Sequence, residues 1–477
     1  MTATTTQTPA PAVADARHSR ATLVLVLLSV AAVSYALVLS LVNPALEALR
    51  GYLHTDQVGV TWVLTAFLLS SAVFTPVLGR LGDHLGKRRV LLVIMVLLTV
   101  GSIIAALAHS LPLLLVGRVI QGAGGATLPL AFGIVRDLLP RQRVGSAVGT
   151  IAAVSAVGGA LGVLITGPII DHLGIPWLFW LPAIANGLVA LVMLRFIPHS
   201  PRGNTGPGDL LAGASLAVTL VLLLLPLSLG GDWGWGSPRT IGSFVLAVIF
   251  GAVWVWVESR SQSPLIDMRV FRLRPVWTAN LASLLFGITL YSAFGFIPAF
   301  LQTPTSTGYG LGESITVSGL LFVPVTVAQF VFGVVAGPLA NRIPAKAVLV
   351  IGAIPVIVAF GLLTFAHDEV WQIILATVLA GIGFGLGLSA LSALVVHAVP
   401  ATHTGAATGM NANIRTIGGA IGAAVVSAIL SANTVPGGIP SETGWALAFG
   451  ALAVAALLGA AASLLIPEVA AHHDDKP

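Results

Sequence analysis

The chain has 477 residues, of which 56% are hydrophobic and only 8% charged. A soluble chain of this length carries about 25% charged residues, so the composition excludes a water-covered globular surface and places the protein in a bilayer. There is no cysteine, which excludes disulfides, thiolate chemistry and Cys-based metal sites. The formal charge of +5 is spread as a membrane-orientation signal, not as a nucleic-acid surface.

Residues 1–20 are polar and rich in Thr, Ala and Pro, and are expected to form a disordered tail. A hydrocarbon core of about 30 Å needs about 20 helical residues. Long uncharged runs meet that requirement fourteen times, beginning with 22–46, which exceeds a signal-peptide core of roughly 7–15 residues and is read as a retained first helix. Its outer end carries Asn43 and Glu47. The second span, 58–79, holds Trp62 and is followed by GRLGDHLGKRRV, residues 79–90. In that stretch Gly79, Gly82 and Gly86 permit close approach and a tight turn, while Lys87, Arg88 and Arg89 hold the chain to the cytoplasmic side. Asp83 has no such explanation, since an acid gains nothing from a positive-inside bias.

The third span, 90–108, leads to 112–136, which contains Arg118 with Gln121 three residues on. A mid-membrane arginine costs about 2.5–3.5 kcal/mol on insertion scales, so it is a functional candidate by default. Gly122 and Gly125 make room for a neighbouring helix, and Asp137 closes the span. Helix one ends outside, where helix four begins. Glu47, Asn43 and Arg118 are therefore expected to share the outer half of a cavity, with Glu47–Arg118 as the candidate pair. Span five, 144–168, has a packing stripe of Gly158, Gly162 and Thr166 beside Gly167, with Asp171 just beyond it. Span six, 175–197, holds Trp180; it and Trp62 lie deeper than an interfacial belt and are candidates for substrate contact.

Spans at 210–230 and 240–257 form a hairpin within 208–260, and six more follow at 276–301, 315–341, 347–366, 370–396, 405–430 and 445–466. The stretch GPLANRIPAKAV (337–348) echoes residues 79–90 at a corresponding turn, with Asn341 where Asp83 stands. This echo indicates a duplicated unit. The expected organisation is a six-helix bundle over 21–200, the two-helix insert, a second six-helix bundle over 270–467 and a cytoplasmic tail over 468–477. His397 is a further titratable candidate. Asn411 and Arg415 form a polar stripe on span thirteen that either lines a cavity or holds helices together. With both termini cytoplasmic, 18 of the 22 Lys and Arg fall inside, two outside and two within helices, as the positive-inside rule expects.

Residues 79–90 resemble the signature loop of the major facilitator superfamily, and LLLVGRVIQGAGGA (113–126) resembles its fourth-helix motif. The segments GDWGWGSP (231–238), GYGLG (308–312) and GMNANIRTIGGAIG (409–422) are similar to those of actinobacterial-type exporters in its fourteen-helix drug:proton antiporter branch. The resemblance implies an all-α integral membrane protein with the major facilitator fold. It also implies that Asp83 caps a helix N-terminus of the other repeat when the cytoplasmic side is shut, that Lys87 pairs with Asp137, and that Arg118 takes part in proton coupling. Two elements depart from the pattern. No acid stands near Val38 in helix one, and Val163 replaces the proline of the fifth-helix motif, with Pro168 displaced to the end.

No GxxxxGK[ST] loop is present for ATP, no His, Asp or Glu set has metal-ligand spacing, and no catalytic cluster is evident. The sequence therefore predicts a secondary transporter, not an enzyme, that exports amphiphilic small molecules such as drugs or antibiotics by alternating access. It is expected to use the proton gradient and no cofactor or metal, to act as a monomer in the bacterial cytoplasmic membrane, and to bind lipid bilayer but no nucleic acid. The scarcity of ionisable groups favours neutral or lipophilic cargo. The alternative is a facilitator or importer without proton coupling.

Overall fold

The computed structural model describes residues 11–42, 44–55, 57–197, 210–261, 264, 267–340, 342–400, 404–435 and 439–467. The first half contains α1 (Pro11–Ser40), α2 (Gln57–Leu85), α3 (Lys87–Ala106), α4 (Leu111–Leu138), α5 (Arg141–Leu173) and α6 (Trp177–Phe196). The inserted hairpin is α7 (Leu210–Trp233) and α8 (Pro238–Arg260). The second half contains α9 (Arg274–Leu301), α10 (Ile315–Ala340), α11 (Ala345–Phe365), α12 (Val370–Ala398), α13 (Thr404–Ala432) and α14 (Glu442–Leu464). Thirteen of these are long and apolar enough to cross a bilayer, and α7 supplies a shorter apolar stretch, Leu211–Leu227. The chain is a multi-pass membrane protein.

Three boundaries differ from the sequence reading for identifiable reasons. First, the expected span 22–46 is not one helix. It stops at Ser40 and resumes as a short outer helix, Leu46–Tyr52, because Pro44 has no N–H to donate and biases its predecessor away from helix. Glu47 thus belongs to the outer helix and not to α1; Asn43 and the Glu47 side chain lie outside the described residues. Also, α1 begins at Pro11, inside the segment expected to be a disordered tail. Second, residues 79–90 are scarcely a loop. The α2 helix continues to Leu85, and Gly86 alone, at φ 98°, turns the chain into α3. That backbone conformation suits glycine and strains any side chain. Third, α4 passes through a 3-10 turn over Gly122–Ala126 at its centre, where GAGGA lets neighbouring backbones approach too closely for a uniform helix. A Cβ on Gly122 would stand 2.7 Å from the Ser71 amide of α2.

Within the first half α1 packs on α5 and α3 packs on α4 and α6; within the second, α9 packs on α13 and α14, and α11 on α12 and α14. The halves meet where α5 lies against α10 and α12, and where α2 lies against α13. The α7 helix runs along the α2–α13 seam, carrying α8 on its far side. Leu216, Leu220 and Leu224 of α7 join Leu69 and Ala72 of α2 and Met410 of α13 in one buried apolar cluster. Side chains such as Val248, 73% exposed on α8, face outward, as expected where lipid is the solvent.

Candidate functional site

The cytoplasmic ends of the two halves are in close contact. Asp83, in the penultimate residues of α2, is 3% exposed. A Cβ on Gly405 would stand 3.1 and 3.2 Å from its two carboxylate oxygens and 2.8 Å from the Gly79 carbonyl. The carboxylate therefore sits against the first turn of α13, where unsatisfied N–H groups and the helix dipole favour negative charge. Lys87 donates to Asp137 at 2.9 Å and lies 3.7 Å from Asp83. Its stem crosses Gly133 of α4, where a Cβ would come within 2.6 Å of it. Gly82 packs against Leu130 of the same helix. Arg88, a gating candidate by its place in the 79–90 stretch, donates to the Leu194 carbonyl of α6 at 2.7 Å, inside its own half.

Arg136, at the inner end of α4, crosses to the other half. It donates to the carbonyls of Val396 and Val399 at 2.6 and 2.7 Å and to Thr404 Oγ1 at 2.7 Å. These are the last carbonyls of α12, where a cation is favoured, and the first residue of α13. In the sequence Arg136 reads as one more positive-inside charge; its position beside Asp137 at a helix end is the only local hint. Asn413 donates to Ala72 O at 2.5 Å across the α2–α13 seam. On the other seam, Ser389 of α12 donates to Gly149 O of α5 at 3.5 Å, and a Gly337 Cβ would stand 2.6 Å from Ser146 Cα of α5. His397 is exposed beside Gly145 on this side, and Asp171 is exposed at the outer end of α5.

Between the closed ends and the outer side lies a polar cluster. Arg118 is fully buried and donates from Nε to Val63 O (3.0 Å) and from Nη1 to Val38 O (3.2 Å) and Gln121 Oε1 (2.8 Å). Gln121 in turn donates to Ser102 Oγ at 2.8 Å, and the Phe67 ring lies 4.3 Å from the guanidinium, a cation–π distance. Arg118 Nη2 has no hydrogen-bond partner among the described residues. The Tyr35 hydroxyl of α1 bonds to Ser71 and shares its electrostatic surroundings with Arg118, Arg415 of α13 and Tyr291 of α9. Arg415 is 8% exposed. Among the described residues no hydrogen bond or ion pair involves its guanidinium.

Other candidates are structural by position. Asn411 donates to Asn280 Oδ1 and Ser283 Oγ, both at 2.8 Å, and so ties α13 to α9 within the second half. Trp62 packs against the α2–α7–α13 apolar cluster, and Trp180 against a cluster at the outer end of the first half, so neither stands in the polar centre expected of a substrate contact. Gly158 and Gly162 pack on Val33 and Ser40 of α1, while Gly167 faces Thr316 of α10. Tyr35 and Tyr291 went unrecognised in the sequence, although they are two of only four tyrosines and each lies on the first helix of its repeat.

The profile of the Major Facilitator Superfamily matches residues 28–317 and 303–477. The multidrug efflux pump LfrA of Mycolicibacterium smegmatis is 30% identical over 84% of this chain and 80% of its own length. The tetracenomycin C resistance and export protein of Streptomyces glaucescens is 29% identical over 83% and 72%, and the multidrug transporter MdtP of Bacillus subtilis 28% over 79% and 69%. The crystal structure of the human organic anion transporter MFSD10 has a TM-score of 0.67 at 17% identity, covering 97% of this chain and all of that one. With a family profile spanning nearly the whole chain and drug exporters as its relatives, this transporter belongs to the Major Facilitator Superfamily, in the multidrug-efflux branch.

Proposed function

We propose that the protein exports amphiphilic small molecules across the bacterial cytoplasmic membrane by alternating access, as a monomer without resident cofactor, drawing on the proton-motive force. One observation carries the reading. Both seams between the halves are closed at the cytoplasmic end, around Arg136, Asp83 and Gly337, beneath a buried polar centre. Rocking the halves about such a centre would expose it first to one side and then to the other. The multidrug and antibiotic exporters among the relatives supply the cargo class.

Everted membrane vesicles from expressing cells test the reading, because export then appears as uptake. Energised vesicles are expected to take up an amphiphilic fluorophore, and Asp83→Asn or Arg136→Ala is expected to slow that uptake. Uptake no faster than in vesicles lacking the protein would refute it. Movement without proton exchange is favoured by a separate observation: no Asp or Glu lies more than two residues inside any of the thirteen spanning helices. A pH change in the vesicle lumen accompanying cargo movement distinguishes proton exchange from its absence.

A further inference from the structure

Among the described residues the buried centre contains positive charge and no negative charge. Arg118 spends its Nε and Nη1 hydrogens on Val63, Val38 and Gln121, so its position is fixed and its charge is spread towards the cluster. Arg415 differs. It stands eleven residues into α13 (Thr404–Ala432), about 16 Å from the cytoplasmic end at 1.5 Å per residue and therefore near the middle of the bilayer. It is more than nine-tenths buried, and among the described residues nothing bonds or pairs with its guanidinium. Gly287 of α9 packs on its backbone, where a Cβ would stand 3.0 Å from the Arg415 Cα, and the Tyr35 phenol of α1 shares its electrostatic surroundings. Intramembrane arginines ordinarily find an acid or a carbonyl. A planar guanidinium without a partner is a receptor for a carboxylate or another delocalised anion.

We infer that the cargo carries an anionic group and that Arg415 is its counter-charge. The inference rests on the export reading above and narrows its cargo class, replacing the expectation of neutral cargo drawn from composition. It also accounts for the missing membrane acid. A cell interior is electrically negative, so an outward-moving anion travels down the membrane potential, and one unit charge across about 100 mV supports about a 50-fold concentration ratio. Such an exporter needs no proton carrier in helix one. No covalent step is involved: the carboxylate exchanges water for the guanidinium, crosses, and is released to water again.

The test uses the full-length protein in liposomes with a potassium diffusion potential set by valinomycin and no pH gradient. Three probes are compared: an amphiphilic aryl-carboxylate dye, its methyl ester and an amphiphilic cation. The expected result is carboxylate flux that rises with the potential, falls at least about 10-fold in Arg415→Met, and is largely kept in Arg415→Lys, which retains the charge. Ester flux is expected not to rise with the potential in any of the three proteins, and an unfolding temperature in detergent matching the wild type shows that the variants are folded. Wild-type flux of ester or cation without carboxylate flux would overturn the anionic cargo and leave the export reading standing, as would unchanged carboxylate flux in Arg415→Met. Movement of none of the probes would remove the export reading and this inference with it.

Discussion

Replacing Arg136 by alanine removes three hydrogen bonds that cross between the halves, to Val396 O, Val399 O and Thr404 Oγ1. Bonds of this charged type contribute about 1.5–3 kcal/mol each, but the guanidinium is only partly buried and regains water when the seam opens. We therefore assign the set about 2 kcal/mol in favour of the cytoplasm-closed state, which corresponds to about a 30-fold shift in the equilibrium between conformations. The contacts of Gly405 with Asp83, of Gly337 with Ser146 and of Asn413 with Ala72 persist in the variant, so it should fold. The chain has no cysteine, which makes the assay direct. A cysteine placed at Ser146, under Gly337 in the α5–α10 seam, reports opening through its rate of reaction with a membrane-impermeant maleimide from the cytoplasmic face. Arg136→Ala is expected to raise that rate about 10–30-fold. An unchanged rate in a folded protein would show that Arg136 does not hold the seam and that the closure argument is wrong.

Gly405→Val should act in the same direction, since even the first carbon of the side chain meets Gly79 O at 2.8 Å; the Ser146→Cys labelling rate would rise, and no rise would mean α2 and α13 yield easily. Gly86→Ala should lower stability by roughly 1–2 kcal/mol because its φ of 98° is strained for a side chain, measured as a lower unfolding temperature in detergent. Asn411→Leu should cost roughly 1–3 kcal/mol by leaving Asn280 and Ser283 without their partner, with cargo flux per folded molecule unchanged. A selective loss of flux would instead place Asn411 on the cargo path. Arg118→Met should lower both stability and flux, because Val38, Val63 and Gln121 lose a common donor; retention of full flux would exclude a role for it in transport.

Local physics was sufficient for much of the architecture. Bilayer thickness sets the length of an apolar run, and the side of the membrane selects where lysine and arginine accumulate. The crossing helices and their order could thus be read residue by residue. Asp83 and Lys87 lay in a motif short enough to recognise, and the resemblance that motif carries implied the pairing of Lys87 with Asp137. Pro44 was equally visible, but its effect was missed because hydropathy averages over a single proline. Asn411 looked the same in the sequence whether it faced a cavity or a helix; only its contacts with Asn280 and Ser283 placed it between helices.

The sequence by itself therefore determined that this protein is a multi-pass helical membrane protein, with its basic residues gathered at particular turns and no acid deep in a spanning helix. The tertiary structure alone decided which charges meet. It turned Arg136 from an orientation signal into a bridge to Val396, Val399 and Thr404, and it set Arg118 of α4 against Val38 of α1 and Val63 and Phe67 of α2. The physical reason is range: hydropathy and the positive-inside bias act on each segment independently, whereas partners 260 or more residues apart, as Arg136 and Val396 are, are brought together only by the packing of helix on helix.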